Sequence, residues 1–147
     1  MNIILIFDEV ITGFGRVGDS FAANRFNVTP DIITMAKGLT GAAIPMRAAA
    51  FKTEIYDEIV QNSESPIELF HGYTYSGHPV AAAAGLATLE VYEKEELFLR
   101  AKKMELIFQN TLHSLKGEKF VIDIRNFGLM GAVHFGSEEG RNATEVS

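Results

Sequence analysis

The run Ile3-Ile4-Leu5-Ile6-Phe7 constrains the fold more than any other feature of the chain. It is short, largely β-branched, free of polar residues, and stops at Asp8-Glu9. An alternating pattern would describe a strand with one wet face. A continuous run suits a strand covered on both faces, as in a parallel sheet. A second run of this kind, Asp31-Ile32-Ile33-Thr34-Met35-Ala36, ends at Lys37. Between the two, Gly13, Gly15 and Gly18 mark a loop, and Ser20 to Phe26 reads as a short helix with Asp19 or Ser20 as its cap. Strand and helix in alternation point to an α/β layer.

The rest of the chain changes character. Ala48 to Phe51 reads as a third short strand and Glu54 to Val60 as a helix. Asn62 to Pro79 is the longest irregular stretch, with His71, Tyr73, Tyr75 and His78 interleaved, and long loops in compact domains tend to carry function. Val80 to Tyr92 is an Ala-rich helix, followed by a second helix from Glu95 to Leu115. In that second helix Leu97, Ala101, Met104, Phe108, Leu112 and Leu115 recur at intervals of three and four, an amphipathic face that Gly117 terminates. Phe120 to Ile124 and Leu129 to Phe135 read as strands of a hairpin around Gly128, and the stretch from Gly136 to Ser147 is polar and patternless.

Composition removes several functions. With 47% apolar and 22% charged residues the chain is globular rather than disordered. The absence of Cys excludes disulfides and Cys-ligated metals. A net charge of −6 argues against nucleic-acid binding, which needs Lys and Arg to displace counterions. No window reaches the roughly 18 apolar residues of a membrane span. The expectation is therefore a cytoplasmic soluble protein. His71, His78, His113 and His134 lack metal-ligand spacing, and a Gly-x-Ser-x-Gly elbow is missing.

Chemistry on a parallel sheet is done at the carboxyl ends of its strands and in the adjoining loops, here Asp8, Lys37 and the loop around Thr74. Lys37 has no evident solvated helix face to occupy. Desolvation at a strand end would lower its pKa from about 10.4 and make the amine a nucleophile or base; the alternative is an ordinary surface lysine. Asp8 can pair with a cation, bind Mg²⁺ or face water. The nucleotide-hydrolase reading of Asp8 requires G-x-x-x-x-G-K-[ST], which is absent. Gly13-Phe14-Gly15-Arg16-Val17-Gly18 matches G-x-G-x-x-G in form only: it starts too far from Phe7, and Asp31 follows Gly18 too soon. It reads as a glycine-rich turn, with Arg16 an ion-pair partner or a solvated side chain.

Four motifs in order are more specific. Phe7-Asp8-Glu9-Val10, Thr12-Gly13-Phe14-Gly15-Arg16, Ala36-Lys37-Gly38-Leu39-Thr40 and His71-Gly72-Tyr73-Thr74-Tyr75-Ser76-Gly77-His78-Pro79 closely resemble the class III pyridoxal-phosphate aminotransferases, the omega-amino acid:pyruvate branch above all. The likeness runs from residue 3 to about residue 135. It implies part of a fold-type I large domain, a mostly parallel sheet with flanking helices, running into the start of an α+β C-terminal domain. By this resemblance residues 1–79 belong to the cofactor-binding domain, 80–116 are connecting helices, 117–135 open the small domain and 136–147 form a polar tail.

The resemblance also implies roles. Lys37 corresponds to the lysine that joins the aldehyde of pyridoxal 5'-phosphate as a Schiff base and then shuttles the substrate proton. Asp8 corresponds to the partner of the pyridine nitrogen, Val10 to the side chain packed on one ring face, and Thr74, with Tyr73 beside it, to the residue that holds the cofactor phosphate of a neighbouring subunit. A homodimer follows, with an omega-amino acid or amine as donor and a pyruvate-like keto acid as acceptor. An ornithine-type aminotransferase, a glutamate-semialdehyde aminomutase and a non-catalytic truncated product are the competing readings.

Departures from the family pattern are local and global. Gly41-Ala42 stands where Asn-Gly is common, and Arg47 stands where a glycine usually follows Ile44-Pro45-Met46. The chain opens on its first strand after only Met1 and Asn2, and lacks the glycine-serine phosphate loop and the arginine for a substrate carboxylate. It reads as an internal piece of a longer enzyme, inactive alone.

Overall fold

The computed structural model describes residues 3–64, 69 and 71–137. In chain order the elements are β1 (Ile6–Asp8), α1 (Ala22–Arg25), β2 (Ile32–Met35), a 3-10 turn (Lys37–Thr40), β3 (Ala48–Phe51), α2 (Thr53–Gln61), α3 (Pro79–Lys94), α4 (Leu97–His113), β4 (Val121–Phe127) and β5 (Met130–Phe135). Among the described residues these form a three-stranded sheet in the order β1-β2-β3 and a separate β4-β5 hairpin.

The sheet is mixed rather than mostly parallel. β1 and β2 pair in parallel, Ile6 with Ile32 and Asp8 with Thr34. β3 returns antiparallel on the other side of β2, with Met35 opposite Ala48. The connection from β2 to β3 holds only the 3-10 turn, with no α-helix to carry the chain across the sheet.

β1 is also shorter and wetter than its sequence suggests. It begins at Ile6, and Ile3 is 84% exposed. Ile4, Leu5 and Ile6 are exposed as well, so the expected cover on both faces is not supplied by the described residues. The chain still turns into register before β1. Asp31 donates its amide to Leu5 O at 2.8 Å, and its carboxylate accepts the Leu5 amide at 2.8 Å.

The two long helices form where the pattern places them. Pro79 occupies the first turn of α3, where its missing N–H costs nothing. Its small residues let α3 approach the 3-10 turn closely, with Ala81 and Gly85 buried. Glu96, at φ +49, breaks the chain between α3 and α4. Tyr92 of α3 stacks on Phe98 of α4 with ring centroids 5.0 Å apart, and Ala101 is buried in α4.

The β4-β5 hairpin turns at Gly128, whose φ is +59. A Cβ there would stand 2.3 Å from the carbonyl carbon of Val17, so no other residue fits without moving backbone. Leu129 donates to Arg16 O at 2.9 Å, which docks the hairpin on the glycine-rich turn. That turn is what the sequence indicated: Gly18 bonds back to Gly15 O and Phe14 to Ser20 O. The fully buried side chains are few, Glu9, Val17 and Thr40 being the largest. Residues 138–147 of the polar tail lie outside the described residues.

Candidate active site

Parallel pairing of β1 and β2 brings Asp8, the last residue of β1, and Lys37, two residues past β2, to the same edge of the sheet, at the carboxyl ends of adjacent strands. The register does more than bring them close. Thr34 stands opposite Asp8, and its hydroxyl donates to Asp8 Oδ1 at 3.0 Å. The Val10 amide donates to the same oxygen at 3.1 Å. Two donors on one oxygen fix the carboxylate's orientation and leave Oδ2 for another partner.

Lys37 opens the 3-10 turn at φ +48, in the left-handed region. An L-residue there costs on the order of 1–2 kcal/mol and persists only where its surroundings demand it. Here the demand is visible. Ala42 donates to Lys37 O at 3.0 Å, and Thr40 closes the following loop through its hydroxyl on Ile44 O at 2.7 Å. Gly38 packs on Phe14 so closely that a Cβ would come within 2.6 Å of Phe14 Cβ. The Tyr92 hydroxyl donates to Gly38 O at 2.7 Å, and burial pushes that phenol's pKa up. The Lys37 side chain itself is exposed, so the described residues do not supply the burial expected of it.

Glu9 is the residue that sequence reasoning passed over. It is 1% exposed and its carboxylate accepts three hydrogen bonds. They come from the Thr12 hydroxyl at 2.5 Å, the Ala22 amide at 2.9 Å and the Ala23 amide at 2.8 Å. Glu9 thereby caps α1 across the loop. Neither expected cap serves: Phe21 is the N-cap residue, with no side-chain cap bond of its own. Asp19 instead accepts from the Ser20 amide at 2.7 Å. The signal was present as an acid beside a strand-ending acid, but nothing local distinguishes a buried Glu from a solvated one.

Two open cavities meet at Lys37. One, of about 790 Å³, is lined also by Arg47, Tyr73, Ser76 and His78. The other, of about 680 Å³, is lined by Val10, Phe14, Arg16 and Tyr92 among others. Val10 thus borders one of the cavities that Lys37 lines and Tyr73 the other. Asp8 lines neither cavity, and Thr74 lines neither and is exposed. The Tyr73–Ser76 turn is closed by mutual bonds, the Tyr73 amide to Ser76 Oγ at 2.8 Å and the Ser76 amide to Tyr73 O at 2.9 Å. No cluster of metal-ligating side chains occurs among the described residues.

An amine, an oriented carboxylate and a half-buried valine on one sheet edge suit a planar ring that bears an aldehyde and a basic nitrogen. The donor set therefore fits pyridoxal phosphate. Comparison with known proteins identifies the family. The sequence pattern of class-III aminotransferases matches residues 1–146. The chain is 56% identical over 139 residues to an omega-aminotransferase of Caulobacter vibrioides, covering 95% of this chain and 32% of that one. It is 51% identical over 141 residues to an omega-amino acid--pyruvate aminotransferase of Pseudomonas putida, covering 95% of this chain and 31% of the other. The solved (S)-enantioselective omega-transaminase of Thermomicrobium roseum superposes with a TM-score of 0.83 at 38% identity, over 90% of this chain and 29% of that one. The chain spans about a third of the length of these curated relatives. A match over nearly its whole length, with Asp8 and Lys37 set on one sheet edge, makes the chain a member of the class-III aminotransferases.

Proposed function

We propose that this chain carries the cofactor-binding centre of a pyridoxal-phosphate transaminase that moves an amino group from an omega-amino acid or amine to pyruvate. The observation that carries the reading is the common edge of Asp8 and Lys37, with Asp8 held by Thr34 and Val10. When bound, pyridoxal phosphate supplies an aldehyde that takes up an amine and a ring that accepts the electrons of the breaking Cα–H bond. Asp8 Oδ2 holds a proton on the ring nitrogen by its negative charge. Lys37 Nζ would anchor the cofactor and, once released, would carry a proton between the substrate Cα and the carbon that had borne the aldehyde. Val10 would keep one face of the ring dry, and Tyr73 lines the second cavity beside Lys37.

Thr74 serves a second copy of the chain. Its exposure leaves it accessible to the neighbouring subunit of a homodimer. Residues 1–79 are assigned to the cofactor-binding domain, 80–116 to connecting helices and 117–135 to the start of the small domain. The protein works in the cytoplasm. The names of the Caulobacter and Pseudomonas relatives support the omega-amino acid and pyruvate specificity.

The test is an amino-transfer assay, with an omega-amino acid as donor and pyruvate as acceptor, on a full-length enzyme that carries this chain. Alanine formation is expected to fall by a factor of about 100 or more in Lys37→Ala, and by roughly 100 in Asp8→Asn. Undiminished alanine formation by Lys37→Ala would overturn the reading.

A further inference from the structure

Arg47, exposed just before β3, has no carboxylate partner among the described residues. Arg25, Lys52, Lys94 and Arg125 each hold an acid between 2.7 and 3.3 Å away. Among the described residues Arg47 has only the face of Tyr73, with its guanidinium carbon 4.5 Å from the ring centroid. The cavity that Arg47 lines also contains Lys37 and His78, and neither Asp nor Glu lines it.

Its placement follows from the sheet. Met35 of β2 pairs with Ala48 of β3. The antiparallel continuation of that register sets Arg47 opposite Ala36, the residue immediately before Lys37. Arg47 and Lys37 line the same open cavity, where an anion would meet two positive charges. Stacking on Tyr73 uses the flat face of the guanidinium. Its N–H donors lie in the plane, at the edge, in the fork that matches two oxygens of a carboxylate or phosphoryl group. An arginine stays charged at any physiological pH, so this donor edge is permanent.

We propose that Arg47 is the anchor of an oxyanion site in the cavity it shares with Lys37, with Tyr73 as the platform that fixes the guanidinium plane. The ligand is a carboxylate or a phosphoryl group. The inference rests on the transaminase reading only for the source of that group: a substrate carboxylate or the cofactor phosphate.

The experiment follows the ring signals of Tyr73 and His78 by NMR while the full chain is titrated with propionate and, separately, with inorganic phosphate. Saturable shifts with one of these probes are expected, with a dissociation constant raised about tenfold or more in Arg47→Gln, the scale of one charge-assisted bond. Arg47→Lys, which keeps the charge but not the fork, is expected to fall between the two. Tighter binding of propionate would assign the site to a substrate carboxylate, and tighter binding of phosphate to the cofactor. No saturable shift with either probe, or equal affinity in Arg47→Gln, would overturn the proposal. Lys37→Ala, titrated in parallel, separates the two readings. Anion binding that survives there while the unchanged chain fails to attach pyridoxal phosphate would sink the transaminase reading and leave the Arg47 site standing.

Discussion

Glu9 and Lys37 show the two ways in which single residues build this site. Glu9 is buried and gathers three donors from two segments; Lys37 is exposed and is held by its backbone. Removing the Glu9 carboxylate leaves the Ala22 and Ala23 amides and the Thr12 hydroxyl without partners. Glu9→Ala is expected to destabilise the chain by about 2–4 kcal/mol, the sum of a lost cap and buried donors left unpaired. Glu9→Gln, which keeps one acceptor oxygen, should cost less. Urea denaturation of both variants checks the order, and equal midpoints for the unchanged chain and Glu9→Ala would refute it. At this scale the sequence was informative for Asp8 and Lys37, because a polar residue that ends an apolar run sits at a strand end by necessity. It was uninformative for Glu9. Whether an acid is buried depends on amides thirteen and fourteen residues away, which no local pattern records. The exposure of Lys37 was equally invisible, since cover for a strand end comes from elements distant in the chain.

Among the elements, the base of the sheet is fastened at Asp31. Its backbone and side chain bond Leu5 ahead of β1, and Lys52 after β3 donates its amide to Asp31 O at 3.0 Å and its ammonium to Asp31 Oδ1 at 2.8 Å. The Leu5 amide, and after it Lys52, hold the Asp31 carboxyl below its ordinary value of 3.8. Asp31 in turn raises the Lys52 ammonium above 10.5. A depressed acid stabilises the fold above its unfolded value and loses that share as pH falls through the folded one. A raised base keeps its share below its unfolded value and loses it as pH rises through the folded one. The pair therefore supports the sheet between about pH 4 and about pH 10 and weakens outside that window. Denaturation midpoints measured from pH 7 down to pH 3 should fall more steeply for the unchanged chain than for Asp31→Asn; parallel curves would contradict this. The hydroxyl of Tyr92 ties α3 to the Lys37 turn in the same manner. Tyr92→Phe is expected to cost about 1–2 kcal/mol by leaving Gly38 O without its donor, again read from denaturation midpoints. The helices α3 and α4 and the β4-β5 hairpin were legible because periodicity and glycine positions are local. The antiparallel return of β3 and the true cap of α1 were not, since pairing direction and a remote cap are decided by tertiary contacts.

The whole molecule buries little of what it presents. Leu86, Leu106 and Ile107 are between 57% and 65% exposed, and the first strand lies open from Ile3 to Ile6. Apolar surface of this extent mates with other protein. Sedimentation of the chain should give a mean mass above that of one copy and rising with concentration; a single-copy mass at every concentration would contradict self-association through this surface. The family was legible because four motifs stand in order along one chain. Which walls close over Lys37 was not, because the chain spans about a third of its relatives. The central claim is that Lys37 and Asp8 form a pyridoxal-phosphate centre. Its most direct test is to incubate the chain with pyridoxal phosphate, reduce with borohydride and map the modified peptides. Cofactor fixed on Lys37 in preference to the other lysines, and diminished in Asp8→Asn, is the expected result. Label spread evenly over the lysines, and unchanged by Asp8→Asn, would contradict the claim.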